Sequence, residues 1–395
     1  MSNGEFAAET NSKANALKFV VLIGILSFFA DFTYEGSRSI LGPYLATLQA
    51  GAAAVAIITG FGEILGYGLR LLSGRLADTT GKFWPITIVG YAVQMVSVPL
   101  LALAGSWKTA AILIVLERVG KATRNPPRDV MLSHAGKQIG RGWAFGLHEA
   151  LDQFGALFGP LLVFGVLARR GDYRLAFATL AIPGAICLAI LMIARWVYPR
   201  PEEMEPGPTN LDTQGIPRVF WWYLSGATLV AAGFADYPFM AFHFAHTGSV
   251  PSRLIPVFYA VAMGVSGIGS LILGRLYDRA GFSILIGLTI VTAGFAPLVF
   301  LGGTTAALVG VALWGLGIGV HESLIPAAVA PMVSQQHRAS AYGLFTAGYG
   351  VFWFVGSVAI GLLYQISVNA AIAFCVVAEL AAIPIFVLVK HHIRN

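Results

Sequence analysis

Long apolar stretches alternate with short polar segments along almost the whole chain. Most of the stretches are about twenty residues long, the length that an α-helix needs to cross the hydrocarbon core of a bilayer. Because lipid offers backbone groups no water to bond with, these stretches are predicted to be helices. The pattern predicts twelve of them, at residues 17–45, 51–73, 84–105, 108–128, 142–168, 174–197, 218–246, 252–274, 282–302, 304–328, 339–364 and 368–390.

One polar segment is longer than the others and follows the sixth apolar stretch. It begins Pro199-Arg200-Pro201-Glu202 and stays polar and rich in proline, which is the composition of a linker. The sequence therefore predicts an all-α membrane protein whose twelve transmembrane helices form two six-helix bundles. We expect the first bundle over residues 1–199, a cytoplasmic linker over 200–217 and the second bundle over 218–395.

The composition supports a membrane location. Of the 395 residues, 57% are hydrophobic and 11% are charged, whereas a soluble domain carries about 25% charged residues. Most lysines and arginines fall on one side if both termini are cytoplasmic, the side that basic loops prefer. We therefore expect a multi-pass protein of the bacterial cytoplasmic membrane, with both termini inside and a monomeric state. The net charge of +6 follows from this topology and gives no reason to expect nucleic acid.

Cofactor chemistry has no support in the sequence. The two cysteines, Cys187 and Cys375, both lie in the middle of predicted helices, so no disulfide or thiolate metal site is expected. No nucleotide-binding loop is present, which favours an ion gradient over ATP as the energy source. We expect no cofactor and no enzymatic activity. The expected partners are the lipid bilayer, a small-molecule or ion substrate, and protons.

Three short motifs occur twice, about two hundred positions apart. Three repeats in the same order at a nearly constant offset indicate that the chain consists of two related halves. Membrane proteins built from repeated halves are commonly transporters with a central site. The pairs are Gly74-Arg75-Leu76-Ala77-Asp78 with Gly274-Arg275-Leu276-Tyr277-Asp278, Phe29-Ala30-Asp31-Phe32 with Phe234-Ala235-Asp236-Tyr237, and the segment from Arg141 to Leu147 with that from Arg338 to Leu344.

These motifs make the chain resemble the major facilitator superfamily over nearly its whole length. The Gly-x-Leu-x-Asp loops resemble the family signature after helices two and eight, Arg118-Val119-Gly120 resembles its helix-four arginine motif, and Gly155-x-x-x-Gly159-Pro160 resembles the helix-five motif of antiporters. The resemblance implies a central cavity lined mainly by helices one, four, seven and ten. Helices three, six, nine and twelve would face lipid. Asp31 with Glu35, the stretch from Arg118 to Asp129, and Ala144-Phe145-Gly146-Leu147-His148 resemble a bacterial efflux-type branch of the family.

Helix one carries four polar residues on one stripe. An ionisable side chain at the bilayer centre costs about 2.5–3.5 kcal/mol on insertion scales, so each is a functional hypothesis. Asp31, Tyr34, Glu35 and Arg38 are spaced i, i+3, i+4 and i+7, which places them on one face. Arg38 can pair with Glu35, leaving Asp31 as the unpaired acid. We predict proton coupling at Asp31, Glu35 and the matching Asp236; the alternative is a purely bracing role through buried ion pairs.

Further candidates lie on helices four, five, seven and ten. On helix five, Glu149 and Asp152 are proton-coupling candidates, although His148 and Asp152 could instead simply pair with the basic helix four. His243 and His246 have a spacing compatible with a metal, but an interfacial role is the more common one. The predicted substrate-binding residues are Tyr34, Arg38, Arg118, His148, Tyr237, His243, His321 and Glu322.

The resemblance also implies gates at the cytoplasmic ends of the helices. In the family, the signature loops hold that side shut when the cavity opens outward, and the helix-five glycines and proline shape the contact between the halves. The alternative is a role in folding alone. The predicted gating residues are Gly74, Arg75, Asp78, Gly274, Arg275, Asp278, Gly155, Gly159 and Pro160.

These observations predict a secondary transporter that exports a small molecule by alternating access in exchange for protons. Deep acids outnumber Arg38 and Arg118, which favours cations or protons over a lone organic anion. One alternative is a divalent metal exporter of the iron type that uses Asp31, Asp236 and His243. The other is a membrane sensor that transports nothing. Glu379, on a helix expected to face lipid, has no role in either scheme.

Overall fold

A computed structural model describes residues 3–139, 141–199, 216–321, 325, 328–329, 332–333 and 338–394. Over these residues the protein consists of helices and turns, without a strand. The all-α prediction is confirmed. The predicted linker and Glu322 lie wholly or largely outside the described residues, so the predicted domain boundaries stay predictions.

The first half contains five long helices and a bent sixth segment. Most long helices extend beyond the predicted apolar stretch into the polar flanks, whereas the third ends at Leu100, before the predicted end at 105. The sixth segment is divided at Leu180 into two shorter helices. The elements are α1 (Asn3–Thr47), α2 (Ala52–Thr80), α3 (Phe83–Leu100), α4 (Trp107–Ile139), α5 (Arg141–Arg170), α6 (Tyr173–Thr179) and α7 (Ala181–Val197).

The second half contains more breaks than the sequence pattern predicted. The predicted helix at 218–246 is interrupted between Gly233 and Tyr237, where Pro238 occupies the first turn of the new helix and favours a start there. The elements are α8 (Arg218–Gly233), α9 (Tyr237–Thr247), α10 (Ile255–Ala280), α11 (Phe282–Thr292), α12 (Phe295–Leu301), α13 (Thr304–Gly319), α14 (Arg338–Ile366) and α15 (Val368–Arg394).

Among the described residues, nine helical segments are long and apolar enough to cross a membrane. The three predicted spans outside this group are α4, the broken pair α8–α9 and the short α13. Helix α4 falls outside the group because it is too highly charged: Glu117, Arg118, Lys121 and Arg124 follow one another along its middle. The spanning segments are Ala14–Thr47, Ala52–Ala77, Phe83–Leu103, Leu147–Arg170, Tyr173–Val197, Ser252–Gly269, Phe282–Leu301, Ala341–Ile366 and Val368–His392.

Glycines let matching helices pack backbone to backbone in the two halves. A β-carbon on Gly159 of α5 would collide with the carbonyl oxygen of Phe32 in α1, and one on Gly155 would collide with that of Phe28. In the second half, a β-carbon on Gly356 of α14 would collide with the carbonyl oxygen of Ala232 in α8. The helix-five glycines, expected at the contact between the halves, therefore bring α5 against α1 of their own half, and the second half has a matching contact.

The signature loops end in glycines that the backbone requires. Gly81 follows α2 with φ 65°, and Gly281 follows α10 with φ 56°. These angles lie in the left-handed region, which side chains with a β-carbon rarely adopt. The N–H of Gly81 closes α2 by bonding to the carbonyl of Ala77. A glycine with positive φ therefore recurs at the same place in each half, although ψ differs, at 3° for Gly81 and −140° for Gly281.

The two halves touch mainly at one end of the molecule. There α1 packs on α9, α2 on α14 and α5 on α10. A β-carbon on Gly42 of α1 would overlap the carbonyl of Pro238, and one on Gly60 of α2 would lie 2.6 Å from the Ser357 side chain. Near the signature loops, at the other end, Leu72 is 65% exposed and Ile272 is 60% exposed. Among the described residues, the tightest contacts between the halves thus lie toward the end that carries the α1–α2 turn.

Candidate functional site

Asp31 lies on α1 against the basic face of α4. Its carboxylate is 3.3 Å from Nη2 of Arg124 and 3.9 Å from Nζ of Lys121. The prediction that Asp31 is the unpaired acid of the stripe is therefore wrong. Helix α4 turns its lysine and arginine side chains toward α1, so Asp31 becomes the acid at which the two helices meet.

Arg124 connects this acid to α3. Its side chain is fully buried and donates to Oε1 of Gln94 at 2.6 Å and to the hydroxyl of Tyr91 at 2.9 Å. Gln94 in turn donates to Glu117 at 3.1 Å. A buried guanidinium is tolerated when its donors are matched in this way. Sequence reasoning did not select Arg124, although it shares one face of α4 with Glu117 and Lys121, and this spacing could have identified it.

Helix α5 brings a second carboxyl group to the same place. Asp152 lies within hydrogen-bonding reach of the Asp31 carboxyl group, and its Oδ1 has no hydrogen-bond partner among the described residues. One turn earlier, His148 is buried and bonds to Ser27 of α1 at 2.7 Å. Glu149 instead is exposed and accepts from Gln153 at 3.0 Å. The structure therefore joins Asp31 and Asp152 and separates Glu149 from that contact.

Tyr34 occupies the centre of a group of cations. Arg118 donates a short hydrogen bond to its hydroxyl, and Nζ of Lys121 is 3.7 Å from the centre of its ring. Arg118 is also 3.6 Å from Glu117. Tyr34, Arg118 and Glu117 border a narrow cleft in the first half, lined by Tyr34, Ser37, Arg38, Leu41, Leu101, Ile114, Glu117 and Arg118. Three predicted substrate-binding residues (Tyr34, Arg38 and Arg118) therefore share one cleft.

The C-terminal part of the α1 stripe contacts the second half. Arg38 forms an ion pair with Asp236 at 3.2 Å, and the hydroxyl of Tyr259 in α10 donates to Glu35 at 2.5 Å. Asp236 lies in the break between α8 and α9, and Ser357 of α14 is 3.5 Å from its other carboxylate oxygen. The bond from Arg38 to Asp236 is a contact between the halves that helix spacing alone did not indicate.

The predicted site residues of the second half lie among aromatic rings. The ring of His321 is 4.2 Å from that of Phe234 and 5.6 Å from that of Trp353. His243 bonds through Nδ1 to the hydroxyl of Tyr364 at 2.7 Å. Tyr237 is fully buried and donates a short bond to the carbonyl of Ile255. In this half, aromatic packing surrounds the polar groups that sequence reasoning selected.

The metal alternative does not match these contacts. Asp31 pairs within the first half, Asp236 pairs with Arg38, and His243 bonds to Tyr364. Among the residues that the structure describes, no three histidine, cysteine or acidic side chains lie together as a metal site would require. A shared site made of Asp31, Asp236 and His243 is therefore not the arrangement found here.

The charge argument for a cationic substrate also changes. That argument counted Arg38 and Arg118 as the deep bases. Arg124 is fully buried and Arg128 is 7% exposed, with Arg128 bonded to Asp129 at 2.8 Å and to Ser27 at 3.1 Å. These bases belong to the same buried network as the acids. The excess of acids on which the preference for cations rested is therefore smaller than the sequence suggested.

The predicted gating residues are described only in part. The backbones of Asp78, Gly274, Arg275 and Asp278 are helical in α2 and α10, but their side chains lie outside the described part of the structure. Arg75 is exposed, and a β-carbon on Gly74 would lie 3.4 Å from Pro126 of α4. Gly155 and Gly159 pack on α1 of their own half, and Pro160 lies inside α5.

Comparison with known proteins agrees with this architecture. Residues 23–330 match the family model of the Major Facilitator Superfamily. An uncharacterised protein of Mycobacterium tuberculosis (strain H37Rv) is 39% identical over 393 residues, covering 97% of this chain and 96% of that protein. An uncharacterised MFS-type transporter of Methanocaldococcus jannaschii is 24% identical over 366 residues, covering 89% of each.

Two solved structures show the same fold at low sequence identity. A POT family transporter in complex with a thioalcohol-conjugated peptide has a TM-score of 0.78 at 10% identity, over 95% of this chain and 96% of that one. A bacterial homologue of the human lysosomal transporter Spinster, inward-facing and unoccupied, has a TM-score of 0.68 at 16% identity, over 97% of this chain and 96% of that one.

Proposed function

The chain belongs to the major facilitator superfamily of membrane transporters, and we propose that it exports a small molecule in exchange for protons. It would work by alternating access in the bacterial cytoplasmic membrane, with both termini cytoplasmic. One observation carries the proton coupling: the carboxyl groups of Asp31 and Asp152 meet inside the first half, on two different helices. The remaining contacts indicate how a change in protonation at this pair would affect the rest of the molecule.

The Asp31–Asp152 pair is suited to binding one proton. Two carboxylates at short range repel each other when both are ionised, and one shared proton removes that repulsion. The cations Lys121 and Arg124 bond to Asp31, which leaves Asp152 as the member of the pair that carries the proton. Loss of the proton adds a negative charge between α1, α4 and α5 and changes the contacts among them.

Helix α1 connects this pair with the contacts between the halves. Glu35 and Arg38 lie one turn and two turns after Asp31 on the same helix face. They bond to Tyr259 and Asp236 of the second half. A shift of α1 that follows a change in protonation would therefore act directly on these two bonds. We propose that they close the outer side, and that the signature loops with Arg75, Asp78, Arg275 and Asp278 close the cytoplasmic side in the opposite state.

The cleft beside Tyr34 is the proposed substrate site. It contains charges of both signs, from Arg38, Arg118 and Glu117. The aromatic rings around His321 in the second half provide an apolar surface. Such a combination suits a small organic molecule with a polar group at one end. Substrate entry would separate Arg38 from its partners and so connect binding to opening.

Inverted membrane vesicles provide the test. A pH gradient is imposed, acridine orange reports its size, and a panel of organic cations, zwitterions and divalent metal salts is added one compound at a time. A transported compound dissipates the gradient in vesicles with the protein but not in empty ones. We expect organic molecules to do so, and metal salts alone would support the iron-type alternative. Absence of flux for every compound would favour a membrane sensor.

Two conservative variants then test the coupling site. Asp152→Asn removes the protonatable group and keeps the shape, whereas Glu149→Gln changes an exposed acid one turn away on the same helix. We expect Asp152→Asn to lower gradient-driven transport more than tenfold while exchange of substrate without a gradient continues. Glu149→Gln is expected to transport like the wild type. Normal gradient-driven transport by Asp152→Asn would contradict the proposed coupling.

A further inference from the structure

Glu379 is a fully buried acid on α15, the last helix of the chain. That helix was expected to face lipid. Its side chain instead points into the second half, where α8, α11, α12 and α14 pack against α15. A carboxyl group in such a place is rare in a membrane protein and calls for a partner or a function.

Among the described residues, no cation lies near Glu379. Oε2 is 3.3 Å from the hydroxyl of Thr292 in α11, and Oε1 has no hydrogen-bond partner in this part of the chain. No described charged side chain on α8, α11, α12 or α14 acts on the carboxyl group, and its titratable neighbour is the buried Cys375 on its own helix. An ionised carboxylate is strongly disfavoured in an apolar interior without a cation.

The hydrogen bonds of Thr292 also favour a protonated Glu379. The Thr292 hydroxyl lies 3.3 Å from Glu379 and 3.3 Å from the carbonyl of Thr289. A hydroxyl has one hydrogen and can also accept. If Glu379 is protonated, it donates to the Thr292 oxygen, and Thr292 donates to Thr289. Both bonds are then satisfied. An ionised Glu379 would compete with Thr289 for the one hydrogen.

The position of Glu379 connects it with the break between α8 and α9. A β-carbon on Gly233, the last residue of α8, would lie 3.0 Å from Cγ of Glu379. Three residues later Asp236 bonds to Arg38 of the first half. Any movement that separates Asp236 from Arg38 therefore acts on the segment that covers the carboxyl group.

We propose that Glu379 is a second proton-binding site, located in the second half and separate from the Asp31–Asp152 pair. It binds a proton in the conformation described here, through the O–H of its carboxyl group. When the α8–α9 break moves, water reaches the group and accepts the proton. The release step rests on the alternating access proposed above, whereas the bound proton does not.

Infrared difference spectroscopy on the purified full-length protein tests the bound proton. Spectra recorded in acidic and alkaline buffer show the C=O band of every carboxyl group that loses a proton. We expect a band that is lost in Glu379→Gln but retained in Asp152→Asn and in Glu149→Gln. Thr292→Val, which removes the hydrogen-bond partner and keeps the acid, should shift this band. If Glu379→Gln does not fold, the shift in Thr292→Val decides.

The possible outcomes separate this proposal from the proposed function. A Glu379→Gln spectrum identical to that of the wild type, or an unshifted band in Thr292→Val, would overturn the second proton site without affecting Asp152. The release step is tested by Arg38→Gln, which loosens the break. There we expect the Glu379 band to titrate at a more acidic pH than in the wild type. An unchanged midpoint would show that Glu379 holds its proton independently of the contact between the halves.

Discussion

The two halves share one helix arrangement but have different interiors. In the first half, Asp31, Arg124 and Gln94 form a buried polar network that joins α1, α3 and α4. In the second half, the matching interior consists of rings, with Phe234 stacked on Trp314 at 5.6 Å. Duplication therefore fixed how the backbones pack, through glycines such as Gly159 and Gly356. The chemistry between the helices diverged, and charge is concentrated in the first half.

The largest expected effect tests the shared packing. Gly155→Val places a side chain where the backbone of α1 already lies, and because that backbone cannot move aside as a side chain can, we expect a cost well above that of ordinary overpacking, which is about 1–3 kcal/mol. We expect loss of most folded protein, measured by fluorescence-detected size-exclusion chromatography. Gly356→Val should act in the same way in the second half.

Gly165→Val is the matched control for this prediction. Gly165 lies on the same helix as Gly155, but a β-carbon there would have no neighbour within 4 Å. The control should fold like the wild type. Equal yields of Gly155→Val and Gly165→Val would mean that the close contact between α1 and α5 is dispensable.

The next effect separates the two interiors. Arg124→Met removes a buried cation and leaves Asp31 and Gln94 without its bonds. Breaking a buried pair by removing one partner costs about 3–5 kcal/mol. Trp314→Phe in the second half removes only the bond from its ring N–H to the carbonyl of Ala235, at 2.7 Å, together with some packing. We expect a clearly larger drop in thermal stability for Arg124→Met.

A thermal-shift assay in one detergent compares the two variants directly. Asp31→Asn combined with Arg124→Met should recover part of the loss, because the uncompensated carboxylate is then absent. If Trp314→Phe destabilises the protein as much as Arg124→Met does, the polar network is not what distinguishes the halves.

Tyr259→Phe has a smaller expected effect, on the balance between conformations. It removes one hydrogen bond to Glu35, and bonds to charged groups contribute about 1.5–3 kcal/mol. Spin labels at Gln49 and Thr247, which lie in the turns after α1 and at the end of α9, report the separation of the halves by pulsed electron resonance. We expect a population at longer distance that is small or absent in the wild type.

Tyr349→Phe is a suitable comparison for this measurement, since Tyr349 is a buried tyrosine of α14 among the rings of the second half. It should leave the distance distribution unchanged. A distribution that Tyr259→Phe does not alter would exclude this bond from the closure of the outer side.

Much of the fold could be predicted because it depends on features that the sequence states directly. Apolar length located the helices, and the repeated motifs indicated two related halves. The break at 234–236 was missed even though Pro238 marked it, because the apolar stretch continues through the break. The motif at 234–237 also repeats one in helix one, and because helix one is continuous, the repeat favoured an unbroken helix here too.

The candidate site was predicted less completely than the fold. Helix periodicity identified Asp31, Glu35 and Arg38 as one stripe, but it does not define which neighbouring helix each residue faces. The partners are Arg124 in α4, Tyr259 in α10 and Asp236 in the α8–α9 break, and they depend on how these segments are oriented against α1. A role for Glu379 was not predicted for a related reason. A helix that faces lipid on one side still has another face that packs inside the protein, and the sequence did not show which face carries Glu379.

The seam between α1 and α9 has a consequence for the cell that holds this protein. At Gly42 the two helices touch without intervening side chains, and the carbonyl of Pro238 occupies the space where a β-carbon would lie. So tight a seam leaves no room for a file of water molecules, along which protons could leak. The proton coupling proposed above requires that protons do not leak across the membrane between turnovers. We expect Gly42, besides being a packing contact, to help keep the protein impermeable to protons.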